Sequence, residues 1–125
     1  MSLRDPLATA RGLGSARNGT GHWWLQRVSS VALLLLTPWL CWLVVSLVGA
    51  DQFTVRNTLG APLNATLMLA FVLSMFWHAQ QGMQVVIEDY VHGWLELALQ
   101  VIVKFAYAFG ALASALALGR IVFSV

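Results

Sequence analysis

Positions 28–50 run for 23 residues without a charged side chain. About 20 residues, each rising about 1.5 Å along a helix, cross the roughly 30 Å of hydrocarbon in a bilayer. Two later stretches behave alike: 63–87 holds no Asp, Glu, Lys or Arg, and 97–125 is interrupted only by Lys104 and Arg120. Hydrocarbon offers no partner to a peptide N–H or C=O, so such a segment must satisfy its own backbone as a helix. Only 10% of the 125 residues are charged and 59% are hydrophobic. A water-soluble domain carries about 25% charged residues, and so short a chain has too little interior to hide the difference. The expected fold is all-α and integral to the membrane, with three transmembrane helices and a short polar N-terminal segment. It reads as one domain, 1–125, with a head at 1–23 and helices over about 24–49, 62–87 and 96–123; residues 51–61 read as a loop.

Three spans place the N-terminus and the link 88–96 on one side, and 51–61 with the C-terminus on the other. The first side holds Arg4, Arg11, Arg17 and Arg27, with Lys104 near its end of the third helix; the second has only Arg56 and Arg120. The positive-inside rule then puts the N-terminus in the cytoplasm, or in the matrix for a mitochondrial version. Trp23 and Trp24 suit the interface where the first span begins. A formal net charge of +2 is too small a surplus to argue for a nucleic-acid partner. The single cysteine, Cys41, excludes an internal disulfide and reads as a small apolar residue. Ala106, Gly110 and Ser114 recur every four residues, a spacing that lets helix backbones approach closely in lipid. Three helices enclose little interior, so a partner membrane chain is expected.

His78 stands apart from its surroundings. It lies nine residues before Ile87, about 14 Å below the membrane surface, where an ionisable group needs a partner and marks a candidate site. Ser74 and Gly82, at i−4 and i+4, share its helix face and leave room for a flat ring. A neutral imidazole there serves either as an axial ligand to haem iron or as a packing residue hydrogen-bonded to a neighbouring helix. Asp89 and Tyr90, eleven and twelve residues on, fall about 18 Å along the axis, at the interface. On residue type alone they are a solvated helix end and part of an aromatic belt. They could also form a polar mouth at which an amphipathic ligand enters from lipid. Glu96, Gln100 and Lys104 form an i, i+4, i+8 stripe, either an inward polar seam or a lysine that snorkels to the surface.

The run Phe76-Trp77-His78-Ala79-Gln80-Gln81-Gly82-Met83, continuing to Glu88-Asp89-Tyr90-Val91, resembles the marker stretch of the hydrophobic membrane anchor (D-type) of succinate dehydrogenase. Arg17-Asn18-Gly19 followed by His22 and Arg27 resembles its upstream segment, with a spacing that departs by one residue. The resemblance implies that His78 is one axial ligand of haem b, with the second supplied by a sister membrane anchor, the cytochrome b subunit. It implies that Tyr90, with Asp89 beside it, contacts ubiquinone. Ser74 and Gly82 would then pack against the haem, and His22 and Arg27 are candidates for its propionates, since cationic donors suit carboxylates. Further implied partners are the iron–sulfur and flavoprotein subunits, docked on the cytoplasmic face of a bacterial inner membrane. Taken alone the chain is expected to have no succinate activity, because it carries no flavin or iron–sulfur motif. Three other functions stay open on the sequence: the first is the anchor of a quinol:fumarate reductase, and the second a small proton-coupled transporter subunit using His78 and Lys104. A purely structural membrane adaptor is the third.

Overall fold

The computed structural model describes residues 19–124, apart from the side chains of Thr20 and His22. The polar head, with Arg4, Arg11 and Arg17, and the side chain of His22 therefore lie outside the described residues. Among the described residues four helices follow in order: α1 (Gly19–Ser46), α2 (Gln52–Gly60), α3 (Pro62–Tyr90) and α4 (Trp94–Val122). Three of them, over Trp23–Ser46, Pro62–Tyr90 and Trp94–Val122, are long and apolar enough to cross a membrane.

The connections are short and locally determined. After α1 the chain turns through Gly49, whose φ of +80° is open to a residue without Cβ. Asp51 then caps α2, its Oδ1 accepting from the Thr54 N–H at 3.1 Å. Ala61 ends α2, its N–H donating to the Asn57 carbonyl, and the same residue starts α3, with Pro62 in the first helical turn where no N–H is missed. The Asn64 Nδ2 donates back to the Thr58 carbonyl at 2.9 Å, tying α3 to α2 across this corner. At the opposite end α3 closes through the Val91 N–H on the Ile87 carbonyl, and Gly93, again at φ +80°, leads into α4.

The expected three spans are present, with two differences. Residues 51–61 are not a plain loop but contain the helix α2, because Asp51 supplies an N-cap that outweighs the polar composition. The link is also shorter than 88–96: Glu88, Asp89 and Tyr90 belong to the last turn of α3, and only 91–93 are non-helical.

α3 is the central element. α1 and α4 both pack on it and not on one another, while α2 seats against α3 and α4. The closest approach is at Gly110 of α4, where a Cβ would stand 2.6 Å from the Phe76 ring of α3. That ring also meets Tyr107 edge to face, centroids 6.2 Å apart. Gly110 thus fills the close-contact role expected of the small-residue stripe, whereas Ala106, Ala113 and Ala117 face outward. Among the described residues only Leu43, Ala65, Ile87 and Leu118 form a buried hydrophobic core. Large apolar side chains such as Leu34 (72% exposed) and Trp94 (81%) cover the exterior, as lipid or a membrane partner requires.

Candidate functional site

α1 and α3 bring together two polar residues deep within their spans. Ser29 is 7% exposed. Its Oγ donates to the Gln26 carbonyl one turn back at 2.9 Å, the usual way a serine is satisfied inside an apolar helix. The same Oγ lies 3.1 Å from Nδ1 of His78, across 49 residues of sequence. Ser30 next to it also donates to the Gln26 carbonyl, at 2.8 Å. His78 itself stands about 18 Å from the Tyr90 end of α3 and about 24 Å from the Pro62 end, so this contact forms well inside the span.

The imidazole forms one wall of a hollow of about 400 Å³, completed by Ser30, Leu33, Leu34, Thr37 and Pro38 of α1. Pro38 has no N–H, so it leaves the Leu34 carbonyl without its helical donor in this wall. On the other face of the α1–α3 pair is a wider cleft of about 1080 Å³, between α1, α3 and α4. Ser29 reaches this cleft as well, and although its lining is mainly apolar it includes Ser74, Gln80, Gln81, Gln84 and Lys104. Along α3 the Gln80 Nε2 donates to Gln84 at 3.4 Å, and the Gln84 Nε2 to Glu88 at 2.9 Å. Gln81 is 3% exposed, and its Oε1, like that of Gln26, has no donor among the described residues.

The residues singled out in the sequence are thus distributed, not gathered at one point. His78 borders the smaller hollow. Gly82, one turn on, has open space where a Cβ would stand. Ser74, one turn back, borders the wide cleft instead. Asp89 and Tyr90 are exposed at the end of α3, Tyr90 at 82%. Arg27 is exposed, its guanidinium carbon 5.4 Å from the centre of the Trp23 ring. Gln100 donates to Glu96 at 3.3 Å, so the first half of the polar stripe on α4 is bonded internally, and Lys104 turns to the cleft. Ser29 has no role in the sequence reading. The available signal was a pair of serines two and three residues after Arg27 inside an otherwise apolar run.

A flat porphyrin ring needs apolar walls and, for axial ligation, an imidazole nitrogen free of hydrogen. The residues present fit. Leu33, Leu34 and Pro38 supply the walls, and Nδ1 is engaged by Ser29 while no hydrogen bond to Nε2 occurs among the described residues. A group of three or more His, Cys, Asp or Glu side chains able to hold a bare metal ion is absent among the described residues.

Three long helices that turn most of their apolar surface outward, with one histidine held inside, define a membrane-embedded subunit. The sequence comparisons make the class specific. Residues 1–119 match the family model described as succinate dehydrogenase/fumarate reductase transmembrane subunit, and the chain belongs to that family. Among its relatives is the succinate dehydrogenase hydrophobic membrane anchor subunit of Paracoccus denitrificans, 37% identical over 93 residues, or 74% of this chain and 72% of the relative. The protein of the same description from Rickettsia bellii (strain RML369-C) is 36% identical over 89 residues, 71% of each chain. The succinate dehydrogenase membrane anchor subunit of Reclinomonas americana is 36% identical over 80 residues, covering 62% of this chain and 67% of its own. No solved structure gives a significant match.

Proposed function

We propose that this chain anchors a succinate:ubiquinone oxidoreductase in the bacterial inner membrane, N-terminus in the cytoplasm, and that His78 is one axial ligand of haem b. The second ligand comes from a sister anchor, the cytochrome b subunit, and the iron–sulfur and flavoprotein subunits dock on the cytoplasmic face. The observation that carries the reading is the setting of His78: an imidazole inside a span, with Nδ1 against Ser29 and its ring on an apolar hollow. When bound, haem b supplies a one-electron carrier.

The chain's own residues position and enclose. His78 would hold the iron of the bound haem within the membrane, and Leu33, Leu34 and Pro38 would keep water from that side of it. At the end of α3, the Tyr90 hydroxyl donates to a ubiquinone carbonyl, and the Asp89 carboxylate orients a base or passes a proton. Both are exposed on the last turn of α3, and the end of a span is where an amphipathic quinone would present its head. A proton path through His78 and Lys104 is less well supported, since the two border different cavities. The succinate dehydrogenase relatives favour this direction over the quinol:fumarate reductase anchor, which the family description also covers.

The test is a pyridine haemochrome assay and a low-temperature optical spectrum of the purified complex. His78→Ala should abolish or convert the low-spin b-type signal while the chain still inserts, because one more apolar residue in a span favours insertion. An unaltered haem spectrum in that variant refutes the ligand assignment.

A further inference from the structure

We infer that Ser29 is the positioning residue that fixes the tautomer of His78 and tunes the iron that His78 would hold; this rests on the ligand reading of His78 above. A serine hydroxyl has one hydrogen and two lone pairs. The Ser29 hydrogen is directed to the Gln26 carbonyl at 2.9 Å, which leaves a lone pair of Oγ toward Nδ1 of His78 at 3.1 Å. With that assignment Nδ1 carries the ring hydrogen and donates it to Ser29, so each of the two hydrogens has an acceptor. Nε2 is then bare. The opposite assignment sends the Ser29 hydrogen to Nδ1 and puts the ring hydrogen on Nε2, to which no acceptor is bonded among the described residues. It forms one bond fewer to hydrogen and blocks the nitrogen needed for ligation.

A histidine that binds a metal ordinarily donates its second ring N–H to a carboxylate, a backbone carbonyl or a water, which sets the ring orientation and raises ligand basicity. Here a neutral hydroxyl on the neighbouring span takes that part. Its own hydrogen is committed to the Gln26 carbonyl, so it faces the ring as an acceptor. Ser29 is 7% exposed and therefore shielded from competing water, so the bond is not readily replaced. A stronger electron-donating imidazole stabilises ferric over ferrous iron. Removing the acceptor should therefore make the iron easier to reduce.

The experiment uses the whole complex in its membrane or in detergent, with Ser29→Ala, Ser29→Thr and Ser29→Cys compared with His78→Ala. Potentiometric titration gives the haem midpoint potential, electron paramagnetic resonance gives the ferric low-spin signal, and pyridine haemochrome gives haem content. Ser29→Ala should retain haem, shift the midpoint to more positive potential and move the largest g value; Ser29→Thr, which restores the hydroxyl, should return both toward the parent. If Ser29→Ala fails to assemble, Ser29→Cys decides the point, since a thiol of similar size is a weak acceptor and should show the positive shift. Loss of the haem signal in His78→Ala, with midpoint and g values unchanged in the Ser29 variants, overturns the role of Ser29 and leaves the ligand standing. An unchanged signal in His78→Ala overturns the ligand itself.

Discussion

Tyr90 places its hydroxyl on the last turn of α3, 82% exposed and one residue beyond Asp89. If that hydroxyl donates to a quinone carbonyl, Tyr90→Phe removes a single hydrogen bond, about 1 kcal/mol or about fivefold. Succinate-to-ubiquinone electron transfer in the complex should fall by that factor or more, while succinate oxidation by a soluble dye and haem content stay unchanged. Equal loss of both activities would indicate failed assembly, and no loss would move the quinone contact to other chains. His78 was legible in the sequence because an ionisable side chain in an uncharged run needs a reason to be there. Ser29 was not, because a serine that bonds its own helix is common in such runs, and only the packing of α1 on α3 reveals its second neighbour.

The helices were largely legible, since an uncharged run of sufficient length has one way to fold in lipid. α2 was not, because nine residues of mixed polarity carry no such constraint and only the capping geometry of Asp51 distinguishes them from a loop. The Thr54 side chain and its backbone N–H hold the Asp51 carboxyl below its usual value of 3.8. A lowered carboxylate pKa stabilises the folded cap fully above that usual value, and the stabilisation is lost as pH falls below it, through the lowered one. Hydrogen exchange at the Thr54 amide should therefore become less protected over that acidic window, and Asp51→Ala should abolish the pH dependence. Between α3 and α4, the space beside Gly110 is already taken by Phe76, whose ring Tyr107 restrains. Gly110→Leu should force the helices apart at a cost of roughly 1–3 kcal/mol, read as lower thermal stability of the complex. Combining it with Phe76→Ala should recover part of the loss; no recovery would place the clash elsewhere.

At the scale of the whole molecule, the two ends of the bundle are defined by contact as well as by charge. A Cβ on Gly60, at the end of α2, would stand 3.6 Å from the Ile121 carbonyl of α4, so α2 and the end of α4 share one end, and the start of α1 lies at the other. With Cys41→Ser as background, Thr20→Cys and Gln52→Cys should react with an impermeant thiol reagent from opposite faces of sealed vesicles; labelling from the same face would refute the three-span topology.

α1 and α4 touch α3 but not each other, so α3 meets each of them in a separate contact. Among the described helices α1 packs on α3 alone, so that one contact sets its place in the bundle. The Ser29–His78 contact and the hollow beside Leu33, Leu34 and Pro38 are made by α1 and α3 alone, without a residue of α4. The wall that would receive the cofactor therefore takes only two helices to build, and what α4 adds is the far side of the wide cleft.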